Sequence, residues 1–173
     1  MYSRIFRFVK NLTKPALRVT LRMKDKGRAQ FHPRGLPMKT KLKALIVDGN
    51  ETILKSVKDI LAKEKFDVIQ SSGAEDALQI LENQNVDVII SELRMPGMDG
   101  IDFVKELRQW DGETAIILVS GEVDELEWLE AINCGASALL SKPLNKDKVV
   151  KAVQKAIKEN EAYSNHSLFP IPD

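Results

Sequence analysis

From residue 42 onward, five short apolar runs alternate with segments of helical period. The runs at 42–47, 66–70, 86–91, 114–119 and 137–141 have the length of buried strands and are too short for core helices. Between them, apolar residues return every three or four positions. Ile53, Val57, Ile60 and Leu61 share one helical face, as do Ala77, Leu78 and Leu81, and then Ile101, Val104 and Leu107 after Asp99-Gly100. Leu126, Leu129 and Ile132 give the inward stripe expected for a fourth helix over 123–132. Val149, Val150, Val153, Ala156 and Ile157 mark a fifth. Ser72 and Glu75 have the spacing of a capping box. The run at 86–91 is broken only by Asp87, as suits a strand covered on both faces. Strict alternation predicts an α/β, doubly wound, five-stranded parallel sheet with helices on both faces and right-handed crossovers.

A chain of 173 residues holds one such domain plus extensions. Its net charge of +1 hides a division. Residues 1–41 hold 12 of 26 Lys/Arg but one of 25 Asp/Glu, a net of +11, which leaves −10 on the remainder. The predicted organisation is a basic extension without a fixed fold over 1–41, the α/β domain over 42–160, and a tail over 161–173. A second folded output domain is not expected. Ile5, Phe8, Val9 and Leu12 can share a helical face flanked by Arg4, Arg7 and Lys10. That pattern fits a membrane-surface helix, a targeting segment or a phosphate-binding arm. The reading preferred here is that the native protein begins at Met38 and that residues 1–37 belong to an over-long reading frame. The single cysteine, Cys134, excludes an internal disulfide and suits a reducing, cytoplasmic location. It is expected to be a small buried residue. His32 and His166 lie in the flanks, so a histidine-based metal site is not expected. No apolar run is long enough to span a bilayer.

Ligands of doubly wound sheets sit beyond the carboxyl ends of the strands. Those ends carry Asp48, Ser91-Glu92, Ser120 and Ser141-Lys142. Only Gly49-Asn50 follows the first strand, which argues against a dinucleotide site or a P-loop.

Four motifs at four strand ends resemble those of response-regulator receiver domains of the chemotaxis-receiver kind. "KALIVDGN" resembles the first strand and acidic turn, and "DVIISELRMPGMDG" the acceptor strand and its loop. "AIILVSGE" resembles the strand of the switch hydroxyl, and "NCGASALLSKPL" the fifth strand and Lys-Pro signature. The resemblance covers about residues 42–160 and implies a flavodoxin-like sheet of order 2-1-3-4-5. It also implies a phosphorelay chemistry in which a carboxylate takes a phosphoryl group from a partner histidine. Acids hold Mg²⁺ there, and a hydroxyl and a lysine stabilise the phosphoryl oxygens.

By the same resemblance Asp48 is the first acid of a pair, Ser120 the switch hydroxyl, Lys142 the site lysine and Pro143 a candidate for a cis bond. Two positions depart from the pattern. Gly49 stands where a second metal-binding acid is usual, and Glu92 where the acceptor is usually aspartate. Glutamate carries its carboxylate one methylene further, and a misplacement of roughly 1 Å can cost about 10²-fold in rate. The usual site is formally −2. Asp48, Glu92 and Lys142 sum to −1, so metal demand falls along with metal ligation. The expectation is no resident cofactor, weak Mg²⁺ binding at most through Asp48, no efficient phosphotransfer and no enzymatic activity. Glu92 is either a partial, built-in phospho-mimic reaching Lys142 and Ser120, or a polar remnant of a drifted site. Glu51 is expected only to complement a helix dipole.

The output face of such domains is usually the fourth helix, fifth strand and fifth helix. Trp128 falls off the inward stripe of the fourth helix, and Leu139 stands where an aromatic residue is common, so both are candidate interface residues. Trp110 is expected to close the core. The expected partner is a signalling protein such as a sensor kinase or another regulator, with no small-molecule substrate. Nucleic acid and membrane enter only if the basic arm is native. The alternatives are a weakly self-phosphorylating acceptor, and a nucleic-acid or membrane adaptor acting through the basic arm.

Overall fold

The computed structural model describes the backbone of residues 18–24, 28–34 and 41–166, with side chains over 41–162. The chain divides into two units, Met1–Thr40 and Lys41–Asp173. In the first, β1 (Arg18–Lys24) and β2 (Arg28–Arg34) form an antiparallel ladder with Leu21 and Phe31 as register partners. These strands lie within the basic extension over 1–41. Val19, Leu21 and Met23 alternate with polar neighbours along β1. The amphipathic pattern of residues 4–12 and the tail from 167 lie outside the described residues.

The second unit runs β3 (Lys43–Val47), α1 (Glu51–Lys63), β4 (Asp67–Ser71), α2 (Ala74–Asn83), β5 (Val88–Glu92) and α3 (Gly100–Arg108). It continues with β6 (Ala115–Ser120), α4 (Glu125–Asn133), β7 (Ala138–Ser141) and α5 (Lys146–His166). All five strands are parallel, as the alternation predicts, in the order β4-β3-β5-β6-β7, which is the order 2-1-3-4-5 that the receiver resemblance implies. The strand period of two sorts the core into two layers. Leu45, Val47, Ile89, Ile116 and Leu118 face α2, α3 and α4, where they meet Leu81, Phe103, Leu107 and Ala131. Ala44, Ile46, Ile90, Ile117 and Val119 face α1 and α5, where they meet Val57, Leu61, Val149 and Val153. Trp110 packs against the first layer.

Two helix details depart from expectation. No capping box opens α2: its N-cap is Gly73 and makes no side-chain cap bond, while the Ser71 hydroxyl donates to the Gly73 carbonyl at 2.7 Å. Leu126 and Leu129 of α4 do not point inward. Both are exposed, and the residue buried from this helix is Ala131.

Candidate functional site

Strand order reverses between β3 and β5, and the carboxyl ends of both strands open on one crevice. Asp48 follows β3 and is 5% exposed. Its Oδ1 accepts the Asn50 N–H at 2.8 Å, while the Asn50 side chain caps α1 by accepting from the N–H groups of Thr52 and Ile53. A single tight turn thus aims Asp48 and starts the helix behind it. Glu92 is the last residue of β5 and is also buried. Its Oε1 accepts the backbone N–H groups of Leu93 at 3.1 Å and Arg94 at 3.4 Å. Gly100 brings the start of α3 against this turn. A Cβ at that position would lie 2.7 Å from the Glu92 carbonyl oxygen and 2.9 Å from the Leu93 Cα, so only glycine fits without a shift.

Lys142 reaches in from the loop after β7, where its N–H donates to the Ser120 carbonyl at 2.8 Å and the following bond to Pro143 is cis. Its ammonium pairs with Glu92 Oε2 and, at 3.2 Å, with Asp48 Oδ2. Burial works to lower the Lys142 pKa, but hydrogen bonds and charge from Glu92 and Asp48 outweigh it and hold that pKa above its ordinary value. Lys142 is therefore a fixed cation gripped by two carboxylates.

Ser120 closes β6 and is buried, but its hydroxyl donates to the Glu122 carbonyl and does not meet Glu92. The expected three-way contact of Glu92 with Lys142 and Ser120 is therefore formed on the lysine side alone. Glu51 is exposed in the first turn of α1. Leu139 is part-buried in β7 and packs on the core layer under α4, while Trp128 stands half exposed on the far side of that helix. The structure thus brings together Asp48, Glu92, Lys142 and Pro143, keeps Ser120 turned aside, and places Trp128 on a separate surface.

Sequence reasoning missed Arg94 and Glu127. Arg94 follows Glu92 by two positions and pairs with Glu127, whose other carboxylate oxygen is buried without a hydrogen-bond partner. The spacing from Glu92 was visible, but no pattern pointed from Arg94 to α4.

The donors suit a divalent cation poorly. Asp48 and Glu92 are the side-chain oxygens at the crevice, Gly49 adds none, and the Lys142 ammonium holds the space between them. Among the described residues no three His, Cys, Asp or Glu side chains cluster closely enough to hold a metal. Mg²⁺ needs oxygen ligands in a near-octahedral set, and this arrangement offers a cation in their place.

A five-stranded parallel sheet with an acid, a carboxylate, a hydroxyl and a lysine–cis-proline pair at its carboxyl ends defines a receiver-type signalling domain. The chain belongs to the response regulator receiver domain family, whose model matches residues 44–154. It is 32% identical over 114 residues to the chemotaxis protein CheY of Bacillus subtilis (strain 168), covering 65% of this chain and 95% of that protein. Against the transcriptional regulatory protein AruR of Pseudomonas aeruginosa the identity is 31% over 121 residues, spanning 67% of this chain and 49% of that regulator. The chemotaxis protein CheY4 of Vibrio cholerae, crystallised at low pH, superposes with a TM-score of 0.65 at 29% identity, over 68% of this chain and 99% of that one. The domain belongs to two-component signalling, a setting in which receivers interact with sensor kinases. No helix among the described residues is long and apolar enough to cross a membrane.

Proposed function

We propose that this receiver signals by protein–protein contact in a state that does not depend on phosphorylation, with Glu92 at the acceptor position acting as a partial internal substitute for the phosphoryl group. The observation that carries this reading is the grip of Glu92 on Lys142. In the receiver site the lysine stabilises phosphoryl oxygens, and a carboxylate already seated on it satisfies the same cation. Backbone N–H groups of Leu93 and Arg94 stabilise the other carboxylate oxygen. The substitution is partial because a carboxylate carries less charge and fewer acceptors than a phosphate, and because Ser120 is not engaged.

The same contacts oppose catalysis. A nucleophile must be free to approach phosphorus in line, and Glu92 has one oxygen on an ammonium and the other on two amides. With Gly49 supplying no ligand, the charge stabilisation a metal gives to phosphoryl transfer is also diminished. The domain is proposed to have no enzymatic activity and to require no Mg²⁺. Its partner would be a sensor kinase or a second regulator, reached through the outer face of α4 that carries Trp128, with Leu139 packed beneath that helix.

Incubation of the full chain with acetyl phosphate and millimolar Mg²⁺, followed by intact-mass measurement, tests the proposal. No phosphoryl adduct is expected, and Mg²⁺ should leave the thermal midpoint unchanged, because stabilisation requires binding to the native state. An adduct lost in Glu92→Gln would establish the competing reading of a working, unconventional acceptor.

A further inference from the structure

The described residues expose five large apolar side chains, and four of them fall in one short stretch: Val123 at 38%, Leu126 at 77%, Trp128 at 50% and Leu129 at 50%. At 100° per residue, Leu126, Leu129 and Trp128 span an arc of about 160° on the side of α4 opposite Ala131. Together they present roughly 400 Å² of mainly apolar surface, the size of the largest patch on a typical monomer, which is often functional. The helix could have been rotated to bury its leucines, yet it seats the small Ala131 and the Arg94-paired Glu127 inward.

The segment that carries this patch holds charge of one sign. Residues 121–141 contain Glu122, Asp124, Glu125, Glu127 and Glu130 and no lysine or arginine, a formal −5. Arg94 and Lys105 pair with Glu127 and Glu130 from outside the stretch. Glu122, Asp124 and Glu125 remain as exposed carboxylates around Leu126.

We infer that the outer face of α4 is a docking site for a cationic amphipathic segment of a partner protein, one that lays an apolar stripe across Leu126, Leu129 and Trp128 and sets Lys or Arg against the acidic rim. The inference rests on the reading of this chain as an interaction module and names the chemistry of its partner. Charge decides among the occupants. A second copy would bring an equally acidic rim onto the same face, and anionic lipid or nucleic-acid phosphate would be repelled. An apolar stripe flanked by bases meets both features at once.

The test titrates the full chain with a synthetic peptide of about 18 residues whose leucines form one helical face and whose other positions are lysine, long enough to form a helix on binding. A matched peptide carries glutamate in place of lysine. The readout is the Trp128 indole resonance, with the Trp110 indole as internal reference. The leucine/lysine peptide should shift the Trp128 signal and bind at least tenfold tighter than its acidic counterpart, and high salt should weaken it. Leu126→Ser, at a site too exposed to matter for folding, should reduce affinity tenfold or more, and Glu125→Lys should do so through charge alone. Equal affinity for the acidic peptide, or unchanged binding in both variants, would overturn the inference. So would a concentration-dependent dimer abolished by Leu126→Ser, which assigns the face to a second copy, or a Trp128 shift on phosphatidylcholine vesicles, which assigns it to a lipid surface. A chain that ignores the peptide yet takes up no phosphoryl group loses this docking assignment and keeps its phosphate-independent reading.

Discussion

Glu92→Gln isolates the charge of the central pair while keeping its shape. Removing one partner of a fully buried ion pair costs about 3–5 kcal/mol, because the other charge is left uncompensated. Here the Lys142 side chain is one-quarter exposed and keeps Asp48 at 3.2 Å, and the one glutamine oxygen can still accept from Lys142 if the amide NH2 turns to the Leu93 and Arg94 N–H groups, which then lose their acceptor. The expected loss is therefore about 1–2 kcal/mol, or roughly 3–10 °C in thermal midpoint for a unit of this size. The pH dependence carries a sign. Glu92 helps raise the folded-state pKa of Lys142 above its unfolded value, so the pair's stabilisation is fully present below about pH 10.4 and is lost as pH rises through the folded-state pKa. Wild type and variant should differ at neutral pH and converge in strong alkali. Thermal unfolding by circular dichroism across that range reads the difference, and NMR titration of the Lys142 side chain should show its pKa falling in the variant. Equal midpoints at pH 7 together with an unmoved Lys142 titration would show that the pair does not form in solution, and the internal-substitute reading would go with it.

Restoring an acidic pair should do more than restoring the acceptor. Glu92→Asp with Gly49→Asp is expected to gain Mg²⁺-dependent labelling by acetyl phosphate well beyond either single change, and additive effects would show that Gly49 matters little. A Cβ at Gly49 meets nothing closer than the Ser72 carbonyl oxygen at 3.9 Å, so the double variant should fold. Gly100→Ala forces α3 off the Glu92 turn and should cost about 1–3 kcal/mol in chemical denaturation. A neutral result there would mean that the helix start yields freely. Burial pushes the Cys134 thiol pKa up, so alkylation of the native chain near neutral pH should be far slower than that of the unfolded chain, and equal rates would contradict the placement of that side chain.

The fold was legible because its two periods are clean. The alternation of Ala44-Leu45-Ile46-Val47 with the helical recurrence of Val57 and Leu61 carries the strand–helix order, and right-handed crossover chirality does the rest. Asp48, Glu92, Ser120 and Lys142 were legible as strand-end residues, since an α/β sheet collects its carboxyl ends in one place. The direction of the Ser120 hydroxyl was not legible, because a hydroxyl rotates to the nearest acceptor and the Glu122 carbonyl lies two residues on. The contact between Arg94 and Glu127 crosses 33 positions and leaves no local trace, as is usual for pairs set by tertiary packing.

The orientation of α4 was misread for a physical reason. A stripe of Leu126, Leu129 and Ile132 satisfies the rule that apolar residues face the core, but the rule weighs burial alone. The alternative face offers Ala131, small enough to let the helix approach the layer containing Leu118 and Leu139, and Glu127, which Arg94 draws inward. Leaving the two leucines and half of a tryptophan in water forgoes about 1.5–3 kcal/mol for each fully burying side chain. That unspent hydrophobic free energy becomes available when the face is covered. On the proposed reading, a site held by its own carboxylate takes no phosphoryl group to drive a change of state. Signalling would then rest on affinity, and α4 is where the described residues leave the most apolar surface exposed.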